Sequence, residues 1–194
     1  MPKVLVEYKD QARSRIVDAA RKVFHRKGFR TATMEDIAKE IGVSKGAIYL
    51  YFPTKTALLA HVQERSRDRV VAAWAGLLES GDVAEGIAHS IDEIFSGEAD
   101  PGVWHELVAE AATDPEIRRA LHDDHAQDLA AMTQFLDRLV ARRRVRRLRD
   151  TATVAAIILG LLHAAALDYM LRGQVEDSRR TLVRELRYLL EKGG

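Results

Sequence analysis

The chain has 194 residues, of which 47% are hydrophobic and 30% charged, an ordinary globular composition with enough length for one large domain or two small ones. It has no cysteine, which excludes disulfides, thiolate catalysis and cysteine-based zinc sites. Net charge is only +1, but residues 1–55 hold twelve Lys/Arg against six Asp/Glu and the remainder eighteen against twenty-three; a basic head on an acidic body points to a polyanionic partner for the head.

The opening MPKVLVEYKD has no apolar core behind a basic flank and does not read as a signal peptide. Apolar residues then recur at three and four almost throughout, with only four prolines in the chain, so the expectation is an all-α protein of about nine helices without sheet. The first helix is predicted from about Asp10 to Lys27, with Ile16, Val17, Ala20, Val23 and Phe24 on one face, and Gly28 ends it. Thr33 caps a short helix, MEDIAKEI, and Asp36 three residues later makes a variant of the capping box. Gly42 ends that helix, Val43 fills the turn and Ser44 caps the next segment, KGAIYLYF, which Pro53 follows at once. Two short helices joined by a tight turn containing glycine form a helix-turn-helix, here at 33–52.

The second of these helices is about two turns long and carries Gly46 near its start. Gly costs a helix interior about 1 kcal/mol relative to Ala, and so short a helix is unstable alone. Its apolar side explains how it is held: Ile48 and Phe52, with Val43, are expected to face Ile37, Ala38 and Ile41 of the preceding helix. Lys45 and Tyr49, then Ala47 and Tyr51, take the other faces, with Gly46 and Leu50 outward. Lysine neutralises phosphate and phenols donate to phosphate oxygens. A recognition helix meets the major groove through its N-terminal residues, where Gly46 would let the backbone come close. Thr54 and Lys55 open the next helix, a natural phosphate seat, and Thr33 does likewise at the other. The plainer reading is a small three-helix domain with surface tyrosines.

Further helices are expected from Thr54 to about Leu78 and at Val83–Phe95, Pro101–Ala112, Pro115–Arg142, Thr151–Leu171 and Glu176–Glu191. The change of composition near Pro53 divides a head at 1–53 from a helical body at 54–194. Thr151 to Leu167 is an uncharged run of 17 residues with two Thr and a His, which reads as a buried helix and not a membrane span. A cytoplasmic protein is expected.

The run GFRTATMEDIAKEIGVSKGAIYLYFPTKTALL, Gly28 to Leu59, closely resembles the head of the TetR family of bacterial and archaeal transcriptional regulators. The matching features are Gly28-Phe29, Thr33, Ile37-Ala38, Gly42-Val43-Ser44, Gly46, Tyr49, Tyr51-Phe52 and Lys55, and the similarity spans roughly 10–70. The resemblance implies a homodimer whose heads bind a palindromic operator in double-stranded DNA, most often as a repressor, and whose body binds a small effector that releases it. By position it implies DNA contacts at Thr33, Ser44, Lys45, Gly46, Ala47, Tyr49, Leu50, Tyr51 and Lys55. Ala47 stands where many relatives have a small polar residue, which leaves the operator sequence open.

In the body, Ala152, Ala156, Gly160 and Ala164 fall at intervals of four and make a ridge of small residues that lets another helix approach closely. Leu182, Val183, Leu186, Leu189 and Leu190 form an apolar stripe on the last helix. Together they fit a two-fold four-helix interface, with Ala152, Ala156, Gly160, Ala164, Leu182, Leu186, Leu189 and Leu190 as its residues; the alternative is burial of both helices within one chain. The resemblance places the effector among the middle helices, where Trp74, Leu78, Ile91, Phe95, Trp104, His105, Leu107, Val108, Phe135, Leu139, Leu162 and His163 are the candidates for an apolar pocket with a few polar handles. Ordinary core packing explains any one of them as well. WHELVAEAATDPEIRRAL, Trp104 to Leu121, looks like the body of TetR branches that answer to fatty acyl or other lipophilic compounds.

His122 and His125 in HDDH fit exposed helix residues as readily as a metal pair, and no metal or cofactor is expected. Arg142 to Arg149 packs six Arg into eight residues, which could meet DNA or the phosphates of an acyl-CoA; the plain reading is a solvated helix end whose cations suit the C-terminus of the preceding helix. No G-x-S-x-G elbow, phosphate-cradling glycine loop or H-E-x-x-H helix occurs, so an enzyme is not expected. An architectural DNA binder without effector is the alternative to a ligand-responsive regulator.

Overall fold

The computed structural model of the chain describes residues 3–95, 101–146, 148, 150–172 and 175–192, with the side chains of 3–8, 90–95, 101, 175 and 192 left aside. Among the described residues there are nine α-helices and no strand: α1 (Lys3–Lys27), α2 (Met34–Ile41), α3 (Lys45–Tyr49), α4 (Lys55–Ala75), α5 (Val83–Phe95), α6 (Pro101–Glu110), α7 (Pro115–Ala141), α8 (Thr151–Arg172) and α9 (Val175–Lys192). A 3-10 turn, Gly76–Leu78, follows α4. The first helix begins at Lys3, seven residues before the expected start, and the other boundaries fall close to their caps.

The chain forms two compact units, Met1–Ser66 with Glu98–His122, and Arg67–Gly97 with Asp123–Gly194. In the first, Ile16, Val23, Phe24, Phe29, Ile37, Ile48, Phe52 and Leu58 make one apolar cluster, which Leu107 of α6 and Ile117 of α7 complete. Phe24 meets Phe29 edge to face at 5.3 Å. The core is thus assembled from the long helix α1, the two short helices α2 and α3, the start of α4, and two side chains from far along the sequence. Each large apolar side chain buried there contributes about 1.5–3 kcal/mol, which is how α3, five residues long, persists.

Local caps set the angles within this unit. Gly28 (φ +75°) and Gly42 (φ +72°) adopt left-handed backbone at the ends of α1 and α2, the conformation glycine reaches without steric cost. Thr33 accepts a hydrogen bond from the Asp36 amide, and Asp36 accepts from the Thr33 amide at 3.0 Å, a complete capping box. Lys27 donates to Asp36 at 2.6 Å, tying α1 to α2. The Lys27 ammonium, then the Thr33 hydroxyl and amide, hold the Asp36 carboxyl down at about 2. A carboxyl depressed below its unfolded value stabilises the fold fully above about pH 4 and ceases to as pH falls toward 2. Asp36→Asn should therefore melt below the wild type at pH 7, with the gap closing between about pH 4 and 2 in thermal scans.

In the second unit, α5, α8 and α9 pack together around Ile87, Leu136, Leu139, Ile158, Leu162, Leu182 and Leu186. Trp74 stacks on Phe135 at 5.1 Å within the same core. Arg67 donates to Asp128 at 2.6 Å and to Gln127 at 2.7 Å, and pairs with Asp124, joining α4 to α7 through one guanidinium fork. The arginine run also works within this unit. Arg144 donates to the carbonyls of Leu77 and Gly81, and Arg142 pairs with Glu79, so these cations close the end of the 3-10 turn. Arg147 and Arg149 lie outside the described residues.

Candidate nucleic-acid interface

Helix α3 turns one side into the first core and offers the rest to solvent. Ile48 is fully buried and Phe52 nearly so, while Tyr49 is 44% and Leu50 84% exposed. Ser44, Lys45 and Gly46 are exposed, and Ala47 and Tyr51 are half-buried. The Ser44 hydroxyl accepts from the Ala47 amide at 3.2 Å and fixes the N-terminus of the helix. Lys45 lies over the Tyr49 ring at 5.7 Å, so a cation and a phenol share one patch. A Cβ added at Gly46 would meet only the Ser44 hydroxyl oxygen, at 3.9 Å. The fold itself therefore does not demand glycine there.

Two expectations near this face need correction. Val43 is 40% exposed and does not share the burial of Ile48 and Phe52. Its amide is held by the Ala38 carbonyl at 3.0 Å, so the turn is fixed by backbone bonds and leaves the side chain outside. Lys55 turns inward: its ammonium donates to the carbonyls of Phe29, Arg30 and Ala32 at 2.7, 3.2 and 2.9 Å and sits 4.4 Å from the Phe29 ring centre. Those three bonds use all its protons, and burial pushes it below the ordinary lysine range. It therefore braces the loop before α2 instead of presenting a charge to phosphate. The Thr33 hydroxyl is likewise engaged, donating to Asp36 at 2.8 Å, although the residue is exposed.

The body residues separate in the structure. Ala152, Ala156, Gly160 and Ala164 are all exposed on α8, and Ile157, Leu167 and Leu171 extend that apolar face. A Cβ on Gly160 would touch nothing within 4 Å. Leu182, Leu186 and Leu190 are buried in the chain's own core, and Leu189 packs against it. The stripe of α9 is consumed by α5 and α8 of the same chain, so these four leucines are withdrawn from the expected interface; Tyr188, 60% exposed, lies on the outward side. Helix α8 is long and apolar enough to cross a membrane by length and composition alone, but one face of it packs into the core.

The twelve effector candidates do not form one described site. Trp74, Phe135, Leu139 and Leu162 are buried in the second core with Leu78 against it, and His163 lies 6.3 Å from His125, ring to ring. Leu107 belongs to the first core, Trp104 and His105 pack on each other at 5.0 Å in the same unit, and Val108 is 45% exposed. The side chains of Ile91 and Phe95 lie outside the described residues. A concavity of about 300 Å³ in the second unit is charged: Glu85, Glu176, Arg179, Arg180, Val183, Arg184 and Arg187 line it. No periodicity foretold it, because a helical wheel shows these arginines only as the polar face of α9.

A cap-fixed short helix, buried on one side and carrying Lys45, Tyr49 and Leu50 outward behind a glycine turn, defines a helix-turn-helix DNA-binding protein. The family model for bacterial regulatory proteins of the tetR family matches residues 16–62. Over 165 residues the chain is 28% identical to the uncharacterized HTH-type transcriptional regulator YfiR of Bacillus subtilis, covering 82% of this chain and 80% of that one. Among solved structures, GusR of Salmonella enterica superposes with a TM-score of 0.71 at 22% identity, over 92% of this chain and 94% of that one. FadR of Bacillus subtilis, solved with stearoyl-CoA, gives 0.64 at 22% identity, over 93% and 98%. Residues 16–62 thus match a tetR-family DNA-binding head, and the chain as a whole is similar to HTH-type transcriptional regulators.

Proposed function

We propose that the chain works as a cytoplasmic homodimer, not an enzyme, that represses transcription by holding a palindromic operator with two copies of α3 and releases it when a small effector binds. The observation that carries the DNA-reading part is Leu50 at 84% exposure beside exposed Lys45 and Tyr49, on a helix whose other side is fully buried. An outward leucine gains nothing in water, but an apolar side chain suits a thymine methyl in the major groove. Open space over Gly46 supports close backbone approach at the helix N-terminus. Ser44, Ala47 and Tyr51 complete the surface, and Arg30, exposed in the loop before Thr33, is a further cation of the head.

The exposed apolar face of α8 supports pairing with a second copy. Small residues at 152, 156, 160 and 164 let two helices approach closely, and Ile157, Leu167 and Leu171 would leave water on dimerisation. For the effector, a small lipophilic compound, fatty acyl among them, the support is the resemblance of Trp104–Leu121 to family branches that answer to such compounds. The 22% likeness to FadR bears on fold and not on ligand.

Salt dependence tests the operator reading. A dimer touching about six phosphates should lose roughly a thousandfold in affinity between 50 and 200 mM salt. Fluorescence anisotropy with a fragment recovered by the protein from a random DNA pool would measure it. A nearly salt-independent affinity would overturn the proposed phosphate-facing surface.

A further inference from the structure

The loop joining α1 to α2 is gripped from both sides. On one side, the Phe29 and Arg30 amides each donate to a different oxygen of Glu106, both at 2.8 Å. On the other, the carbonyls of Phe29, Arg30 and Ala32 accept from Lys55. Glu106 stands on α6, 76 residues beyond Arg30, and the next residue, Leu107, is buried in the core that holds α2 and α3. A Cβ on Gly28 would come within 2.8 Å of the nearer Glu106 oxygen, so the loop also keeps a glycine where the carboxylate closes on it.

The grip falls immediately before Thr33, the residue that starts α2. Helix α2 packs on α3 through Ile37, Ala38 and Ile48. A carboxylate taking two amide protons is a strong, directional bond, and a displacement of about 1 Å is enough to break it. From this geometry we infer that Glu106 is a positioning residue for operator recognition: through the Phe29–Arg30 amides, α6 sets where the helix-turn-helix stands, and a shift of α6 releases it. The inference rests on the operator-reading function proposed above. It assigns to one side chain the link between a helix distant in sequence and the reading helix. Glu106 touches no DNA in this scheme and acts through the loop.

The test compares full-length wild type, Glu106→Ala and Glu106→Gln. Backbone amide exchange across residues 28–32 is followed by mass spectrometry, and affinity is measured for the DNA fragment that the wild type recovers from a random pool. Glu106→Ala, with both acceptors gone, should raise exchange at Phe29 and Arg30 at least about tenfold. It should also weaken DNA binding by about 10- to 100-fold while circular dichroism shows a folded protein at the assay temperature. Glu106→Gln keeps one acceptor and should fall between. A lowered melting temperature with affinity within about twofold of wild type would reduce Glu106 to a stabilising contact and overturn the inference, as would unchanged amide protection. Should Glu106→Ala not fold, Glu106→Gln decides by the same criteria. If the wild type recovers no fragment, the operator reading fails, and the exchange measurement still judges the grip.

Discussion

Replacing Lys45 with Ala and Tyr49 with Phe together should weaken operator binding on the order of a hundredfold or more, with little change in melting temperature. Each half-site would lose a phosphate-neutralising ammonium and a phenolic donor. Hydrogen bonds to charged groups contribute about 1.5–3 kcal/mol each, and each 1.4 kcal/mol is a factor of ten in affinity. Both side chains are exposed and outside the core, so the fold does not depend on them. Lys45 and Tyr49 are neighbours in one patch, and the two single variants with the double one form a cycle that shows whether they contribute independently. Titration of the recovered fragment by anisotropy measures all three. Wild-type affinity in the double variant would mean that α3 presents another face to DNA.

Gly160→Arg should convert the proposed dimer to monomers and reduce operator affinity by at least about a hundredfold, since the second half-site then binds without the effective concentration that linkage supplies. Within one chain the substitution is benign. Gly160 is an exposed helical residue with open space where a Cβ would stand, and any residue other than proline gains helix propensity over glycine. Between two copies, a bulky cation on a ridge of Ala152, Ala156 and Ala164 would keep the helices apart and strand its charge against apolar surface. Light scattering gives the mass and anisotropy the affinity. A Gly160→Arg dimer with unimpaired binding would place the subunit contact elsewhere.

The helices and their caps were legible because their signals are local. Thr33 with Asp36, and Ser44 with its short apolar helix, are read within four residues, and the structure has both caps. The roles of Lys55 and Glu106 were not legible, since each depends on backbone groups more than twenty residues away. A lysine at a helix start looks the same in sequence whether it points at phosphate or at carbonyls. The leucines of α9 show the other limit: a hydrophobic stripe says that one face is buried, not which chain buries it, and here α5 and α8 of the same chain do so. The ridge of α8 stayed outside because its opposite face, Val154, Ala155, Ile158 and Leu162, fills the core. Residues nominated for a ligand by being large and apolar divided between two cores for the same reason.

Hydroxyl-radical footprinting of the wild-type protein on its recovered DNA fragment addresses the doubled reading helix most directly. Two copies of α3 held by one dimer should protect two inverted half-sites whose centres lie about one helical turn, roughly 34–36 Å, or a whole multiple of it apart. A single protected half-site, or even protection along the whole fragment, would contradict a dimer that reads a palindrome.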